Sequence, residues 1–167
     1  MFDYVKGNLT KLLNLDTDTI NHVIHESVRF KGDVVGTDEK ESGLRKILNL
    51  GHTFAHAFEV QQKHKIKHGQ AVIAGISCAL YLSNNLGVMN DDDLERSIKL
   101  VELFKDDIKL ENFSTADIES IMMRDKKNRD GKIKFVLLKS IGEIIVDVES
   151  QWQDVEKAIQ MGTAIFK

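Results

Sequence analysis

The sequence predicts a mainly α-helical domain that carries one small β-hairpin. Three observations predict it. Apolar residues recur at three-to-four spacing through most of the chain. Proline is absent from all 167 residues, which suits a chain of helices with few rigid turns. The period changes only between Lys132 and Ser150. No internal repeat, low-complexity tract or linker breaks the chain, so residues 1–167 read as a single helical domain.

The first periodic segment runs from about Asp18 to Val35, with Ile20, Val23, Ile24, Val28 and Phe30 or Lys31 on one face. Asp16, Thr17, Asp18 and Thr19 offer N-caps for it. The polar stretch Gly36 to Gly43 reads as a surface loop. A second helix is expected from Leu44 to about Val60, followed by a basic connection from Gln61 to Gly69. Gln70 to Gly87 is apolar on nearly every side, which predicts a central buried helix stopped at Asn85 to Gly87. "DDDLERSIKLVELFK" follows, with Asn90 or the aspartates as cap and an acidic first turn that complements the helix dipole. "STADIESIMMRDKK" makes another short helix, capped by Ser114 or Thr115. Lys132 to Ser150 then reads as two strands joined around Ser140–Gly142. Helical spacing returns at Trp152, Val155, Ala158 and Ile159.

Composition narrows the function classes. Hydrophobic content of 42% and charged content of 29% belong to an ordinary globular chain. A formal charge of −3 gives no electrostatic footprint for nucleic acid. No apolar run approaches the roughly 18–20 residues that cross a bilayer, and the N-terminal residues lack signal-peptide features. A soluble, cytoplasmic protein is the expectation. The single cysteine, Cys78, excludes an internal disulfide and sits in an apolar run, as a buried, inert thiol would.

On a helix from Leu44 to Glu59, the residues Arg45, Asn49, His52, His56 and Glu59 fall in one row. A solvated face would be richer in Lys and Glu, and a core face would not hold this set. The row reads as the wall of a polar cavity. His52 and His56, at i and i+4, can chelate one metal ion or serve structurally. Thr53 stands where a metalloprotease has its glutamate base, which excludes that chemistry. His68 follows just before the buried helix, where a side chain can point back into a cleft, whereas His64 sits among lysines as a solvated loop residue. Two imidazoles are an incomplete metal site; a carboxylate or a third imidazole is still needed. Glu59 shares the face but lies two turns beyond His52. Lys31 and the cations of "RDKKNRDGK" are either anion-binding groups or, for the second set, a solvated helix end.

"LRKILNLGHTFAHAFE" followed by "HGQAV" resembles the G-H-T-x-G-H-A-x-E … H-G-E-A-V signature of 3-dehydroquinate synthases. The likeness extends from "FKGDVVGTDEKESGLR" to "RDKKN" and "KFVLLKSIGEI", and covers the family's C-terminal helical domain. The resemblance implies that His52 and His68 bind zinc, or another divalent metal such as cobalt. It implies that His56 helps move a hydroxyl proton, and that Lys31, Arg45 and Asn49 hold the substrate's carboxylate and hydroxyls. One of Lys126 and Lys127 matches a further substrate-binding lysine. The family's N-terminal NAD-binding α/β domain has no counterpart in this sequence, nor has the G-x-x-E-x-x-K segment that supplies its metal-binding glutamate. A fragment of a longer enzyme, homodimeric at full length, is therefore expected.

The family reaction converts the phosphorylated keto acid DAHP to 3-dehydroquinate in the shikimate pathway, with transient oxidation by NAD and loss of phosphate. Related sugar-phosphate cyclases share the histidine pair, and a non-catalytic helical module retaining a partial metal site is the remaining alternative. Two positions depart from the signature. Ala55 replaces its second glycine, adding a methyl group where helices pack closely. Gln70 replaces the glutamate after His-Gly; if that position orients the metal ligand, the lost charge weakens metal affinity.

Overall fold

The structure is a computed structural model that describes residues 1–40, 43–124 and 132–166. It divides into two compact units, Met1–Leu48 and Asn49–Lys167. The fold is mainly helical with one hairpin, as the periodicities predict.

The first unit opens with two short helices that the periodicity does not announce, α1 (Phe2–Gly7) and α2 (Leu9–Leu13). The long helix α3 (Thr17–Thr37) follows. Its N-cap is Asp16, whose carboxylate accepts from the Thr19 amide at 3.0 Å and the Thr19 hydroxyl at 2.6 Å. These two hydrogen bonds stabilise the ionised form and hold the Asp16 carboxyl below its ordinary range. α3 runs two residues beyond the expected end at Val35, and Thr37 closes it by bonding the Asp33 carbonyl at 2.8 Å.

The expected continuous helix from Leu44 to Val60 is not formed. Leu44–Asn49 is a 3-10 helix, Gly51 turns left-handed at φ 76°, and α4 (His52–Gln61) starts afresh. The reason is packing against α5 (His68–Asn85). A Cβ on Gly75 of α5 would lie 2.2 Å from the Gly51 carbonyl oxygen, and one on Gly51 would lie 2.5 Å from the Ile76 amide nitrogen. Two bare Cα atoms thus let the start of α4 press on the middle of α5. Only glycine takes that φ at no steric cost. Ala55, the departure from the signature, is buried beside this contact.

α5 is the central buried helix of the second unit, and it starts two residues before the expected Gln70. It packs against α4, α6 (Asp91–Val101), β1 (Phe135–Ser140) and α8 (Trp152–Ala164). The α8 contact is again glycine-mediated, since a Cβ on Gly162 would meet the Cys78 backbone at 2.7 Å. Ser77 bonds across to the Gly162 carbonyl at 3.0 Å, and Ser83 accepts from the Leu138 amide at 3.2 Å. Both hydroxyls are fully buried and partnered, as buried polar groups must be. Cys78 is fully buried, and burial pushes its thiol well above the usual range.

Asn90 caps α6 by accepting from the Asp93 amide at 2.8 Å. The expected single helix through Lys105 instead tightens into a 3-10 turn at Glu102–Asp107. Ser114 caps α7 (Thr115–Arg124) through the Asp117 amide. β1 pairs antiparallel with β2 (Glu143–Val148) through Leu137↔Ile145 and Leu138↔Ile144, and Gly142 turns the hairpin at φ 99°. Phe135 stacks on Phe54 of α4 at 5.1 Å, tying the hairpin to the helix that carries His52 and His56.

Candidate metal centre

His52 is the first residue of α4 and His68 the first residue of α5, not a residue of the preceding loop. The imidazole centroids lie 5.7 Å apart with the rings edge-on. Each ring is held through Nδ1. His52 Nδ1 lies 3.3 Å from the Leu50 carbonyl oxygen, and His68 Nδ1 lies 2.9 Å from Glu59 Oε1. A carbonyl and a carboxylate only accept hydrogen bonds. In the neutral form of either ring, a proton on Nδ1 satisfies that acceptor and leaves the lone pair on Nε2. That is the form in which an imidazole binds a metal while its other nitrogen is fixed by an acceptor.

The donor set thus fits two positions of a zinc or cobalt site. Among the described residues no group of three or more His, Cys, Asp and Glu side chains is arranged to hold a metal. Glu59 is not aligned as a third ligand; its carboxylate is committed to His68.

His56, one turn along α4 from His52, is exposed. His64 is exposed and left-handed at φ 58°, in the solvated loop expected of it. Asn49 ends the 3-10 helix and lies in the second unit with the histidines, whereas Lys31 and Arg45 lie in the first. The row of five polar residues on one helix face is therefore corrected. His52, His56 and Glu59 share α4, while Arg45 and Asn49 belong to a separate 3-10 segment. Within its own unit Arg45 is well fixed. Asp38, a buried carboxylate, accepts from the Gly43 and Arg45 amides at 2.8 and 3.0 Å, and the Arg45 guanidinium donates to the Glu39 carbonyl at 2.8 Å. Lys126 and Lys127 lie outside the described residues.

Gln70 does not touch His68 through its hydrogen bonds. Its Oε1 accepts from the Lys67 amide at 3.1 Å and its Nε2 donates to the Asp107 carbonyl at 2.6 Å. The side chain caps α5 and ties that end to the 3-10 turn after α6. A carboxylate here could not make the second bond, so glutamine adds a tether where the signature has a charge. Sequence reasoning did not anticipate this, nor the part of Gly51 and Gly75. A glycine inside an otherwise apolar helix was the available signal, since it marks close backbone approach. Among the described residues no helix is long and apolar enough to cross a membrane.

Comparison with known proteins bears on the chain as a whole. Curated relatives named 3-dehydroquinate synthase include one from Leptospira interrogans, 41% identical over 159 residues, and one from Dictyoglomus thermophilum, 37% identical over 168. The first alignment covers 95% of this chain and 44% of the relative, the second 100% and 47%. The chain therefore spans a little under half the length of these relatives. Among solved structures, the 2-epi-5-epi-valiolone synthase of Streptomyces hygroscopicus, with NAD+ and Zn2+ bound, superposes with a TM-score of 0.82 at 18% identity, over 98% of this chain and 46% of that one. A 2-deoxy-scyllo-inosose synthase complexed with carbaglucose-6-phosphate, NAD+ and Co2+ gives 0.63 at 21% identity, over 72% and 34%. At these identities the likeness is one of fold. The profile of the 3-dehydroquinate synthase C-terminal family matches residues 1–128, and the chain belongs to that family.

Proposed function

We propose that this chain is the metal- and substrate-binding part of a 3-dehydroquinate synthase, a phosphate-eliminating lyase that converts DAHP to 3-dehydroquinate. The observation that carries the reading is the pair His52 and His68, two rings at 5.7 Å with both Nδ1 atoms engaged by acceptors. The curated relatives at 37–41% identity favour this substrate over a sugar phosphate. In this reading His52 and His68 are ligands of zinc, or of cobalt in its place. Such a metal supplies Lewis acidity that lowers the pKa of a substrate hydroxyl. NAD, the hydride acceptor, is assigned to residues outside these 167.

The chain's own residues then bind, orient and move protons. His56 is exposed on the same helix one turn from His52, and a neutral imidazole there takes the proton of the substrate hydroxyl and returns it. Asn49 donates to a hydroxyl, while Lys31 and Arg45 supply positive charge for the carboxylate. One of Lys126 and Lys127 adds a further cation.

The test joins the 167-residue chain to the N-terminal half of a relative, in trans or as one polypeptide. Phosphate release from DAHP, and not from a sugar phosphate, is the expected result. In that assembly His52→Ala and His68→Ala should each strip the metal, read by elemental analysis. His56→Ala should keep it and lose about 10²–10⁴-fold in kcat. Equal metal loss in all three variants would overturn the assignment of roles.

A further inference from the structure

We infer that Glu59 is the positioning residue of the metal centre: its carboxylate locks the His68 ring with the proton on Nδ1 and the lone pair on Nε2. The inference rests on reading His52 and His68 as a metal pair, and it adds a residue that this reading does not require. Glu59 lies seven residues after His52, so the two share a face of α4 two turns apart. The chain then reverses through residues 62–67 and returns at His68. That return is built, not loose. Gln62, buried, exchanges two hydrogen bonds with the Glu111 backbone at 3.2 and 2.9 Å, and Ile66 is buried in the core. His68 is thereby delivered between His52 and Glu59, edge-on to the first ring and 2.9 Å from the second residue's carboxylate.

The choice of partner is informative. Lys65 of the connecting loop pairs with Glu111 at 3.0 Å, whereas the Glu59 carboxylate bonds His68. The Glu59 side chain is only 18% exposed, whereas His68 is 66% exposed. The fixed, shielded member is the acid, and the exposed member is the ring it aims. A surface ion pair between two solvated side chains would be worth little and would fix no tautomer. A carboxylate held this way orients a ligating imidazole and raises its basicity, and loss of such a partner typically weakens metal binding about 10–100-fold. His52 obtains the same orientation from a main-chain carbonyl at the longer distance of 3.3 Å. The two ligands are thus set by different devices, and only that of His68 can be removed by substitution.

The test uses the 167-residue chain and two readouts. Long-range proton–nitrogen NMR of metal-free protein reports which His68 nitrogen carries the proton. Competition with a chromophoric chelator reports zinc affinity. Wild type should show the Nδ1–H form of His68. Glu59→Ala should lose that preference and weaken zinc binding about 10–100-fold. Glu59→Gln, whose amide oxygen still accepts, should keep the tautomer and recover part of the affinity. His68→Ala and His52→Ala serve as ligand controls. An unchanged tautomer in Glu59→Ala, with a native amide spectrum, overturns the inference. So does unchanged zinc affinity in Glu59→Ala where His68→Ala lowers it. Should His52→Ala and His68→Ala both leave zinc affinity untouched while Glu59→Ala shifts the tautomer, the metal reading falls and the hold of Glu59 on His68 stands.

Discussion

Along α5, nine of eighteen residues are buried; along α3, which is three residues longer, only Thr19 and Val34 are. Ile24, Val28 and Phe30 of α3 are each more than half exposed. The two helices are therefore held by different physics. α3 depends on its Asp16 cap and on local pairs such as Glu26 with Arg29, 2.6 Å apart on an exposed face. α5 depends on neighbours that reach its backbone through glycine. The same residue type does opposite work in the two. Gly75 is a contact surface, whereas Gly32 of α3 has no atom within 4 Å of where its Cβ would stand.

That contrast can be broken by substitution. The largest effect is expected at Phe58 of α4, which is fully buried and packs on Phe113 at 5.6 Å. Phe58→Ala should cost about 3–5 kcal/mol, read as a fall in urea midpoint, because transfer and cavity terms add. Gly75→Ala comes next. Alanine gains up to about 1 kcal/mol of helix propensity over glycine. Its methyl, however, meets the Gly51 oxygen and the Ala55 nitrogen, both backbone atoms that cannot swing away. Overpacking of about 1–3 kcal/mol should win, for a net loss by the same measurement. Such a loss should also disturb the His52 ring, which starts one residue after Gly51. Gly32→Ala, in open space, should have the smallest effect and the opposite sign, a gain of about 0.4–1 kcal/mol in a thermal melt followed by circular dichroism. A destabilised Gly32→Ala, or a neutral Gly75→Ala, would show that the two helices are not held as differently as their burial suggests.

Much of this was legible in the residues. The three-to-four spacing of Ile20, Val23 and Ile24, the cap at Asp16, the acidic start of α6 and the change of period at the hairpin each specify an element locally. The elements they specify are present. The break at Gly51 was not legible, because Leu48, Phe54 and Phe58 continue a helical pattern through it. A hydrophobic period records which residues share a face and is blind to a single left-handed residue. The short helices before residue 14 carry too few apolar repeats to announce themselves. At the candidate site, the motif spacing singled out His52, His56 and His68 and left Glu59 as an unplaced carboxylate. Its partner could not be read, since nine residues and a chain reversal separate Glu59 from His68.

Sequence alone thus determined the helical class, the position of the hairpin, the buried character of α5 and the family signature, because each is written in local order. Only the tertiary structure decided that a glycine pair presses α4 onto α5, that the first residues of these helices meet as two imidazoles, and that Glu59 takes His68. Those outcomes depend on backbone distances across the fold, and no local pattern of residues encodes a distance between two helices.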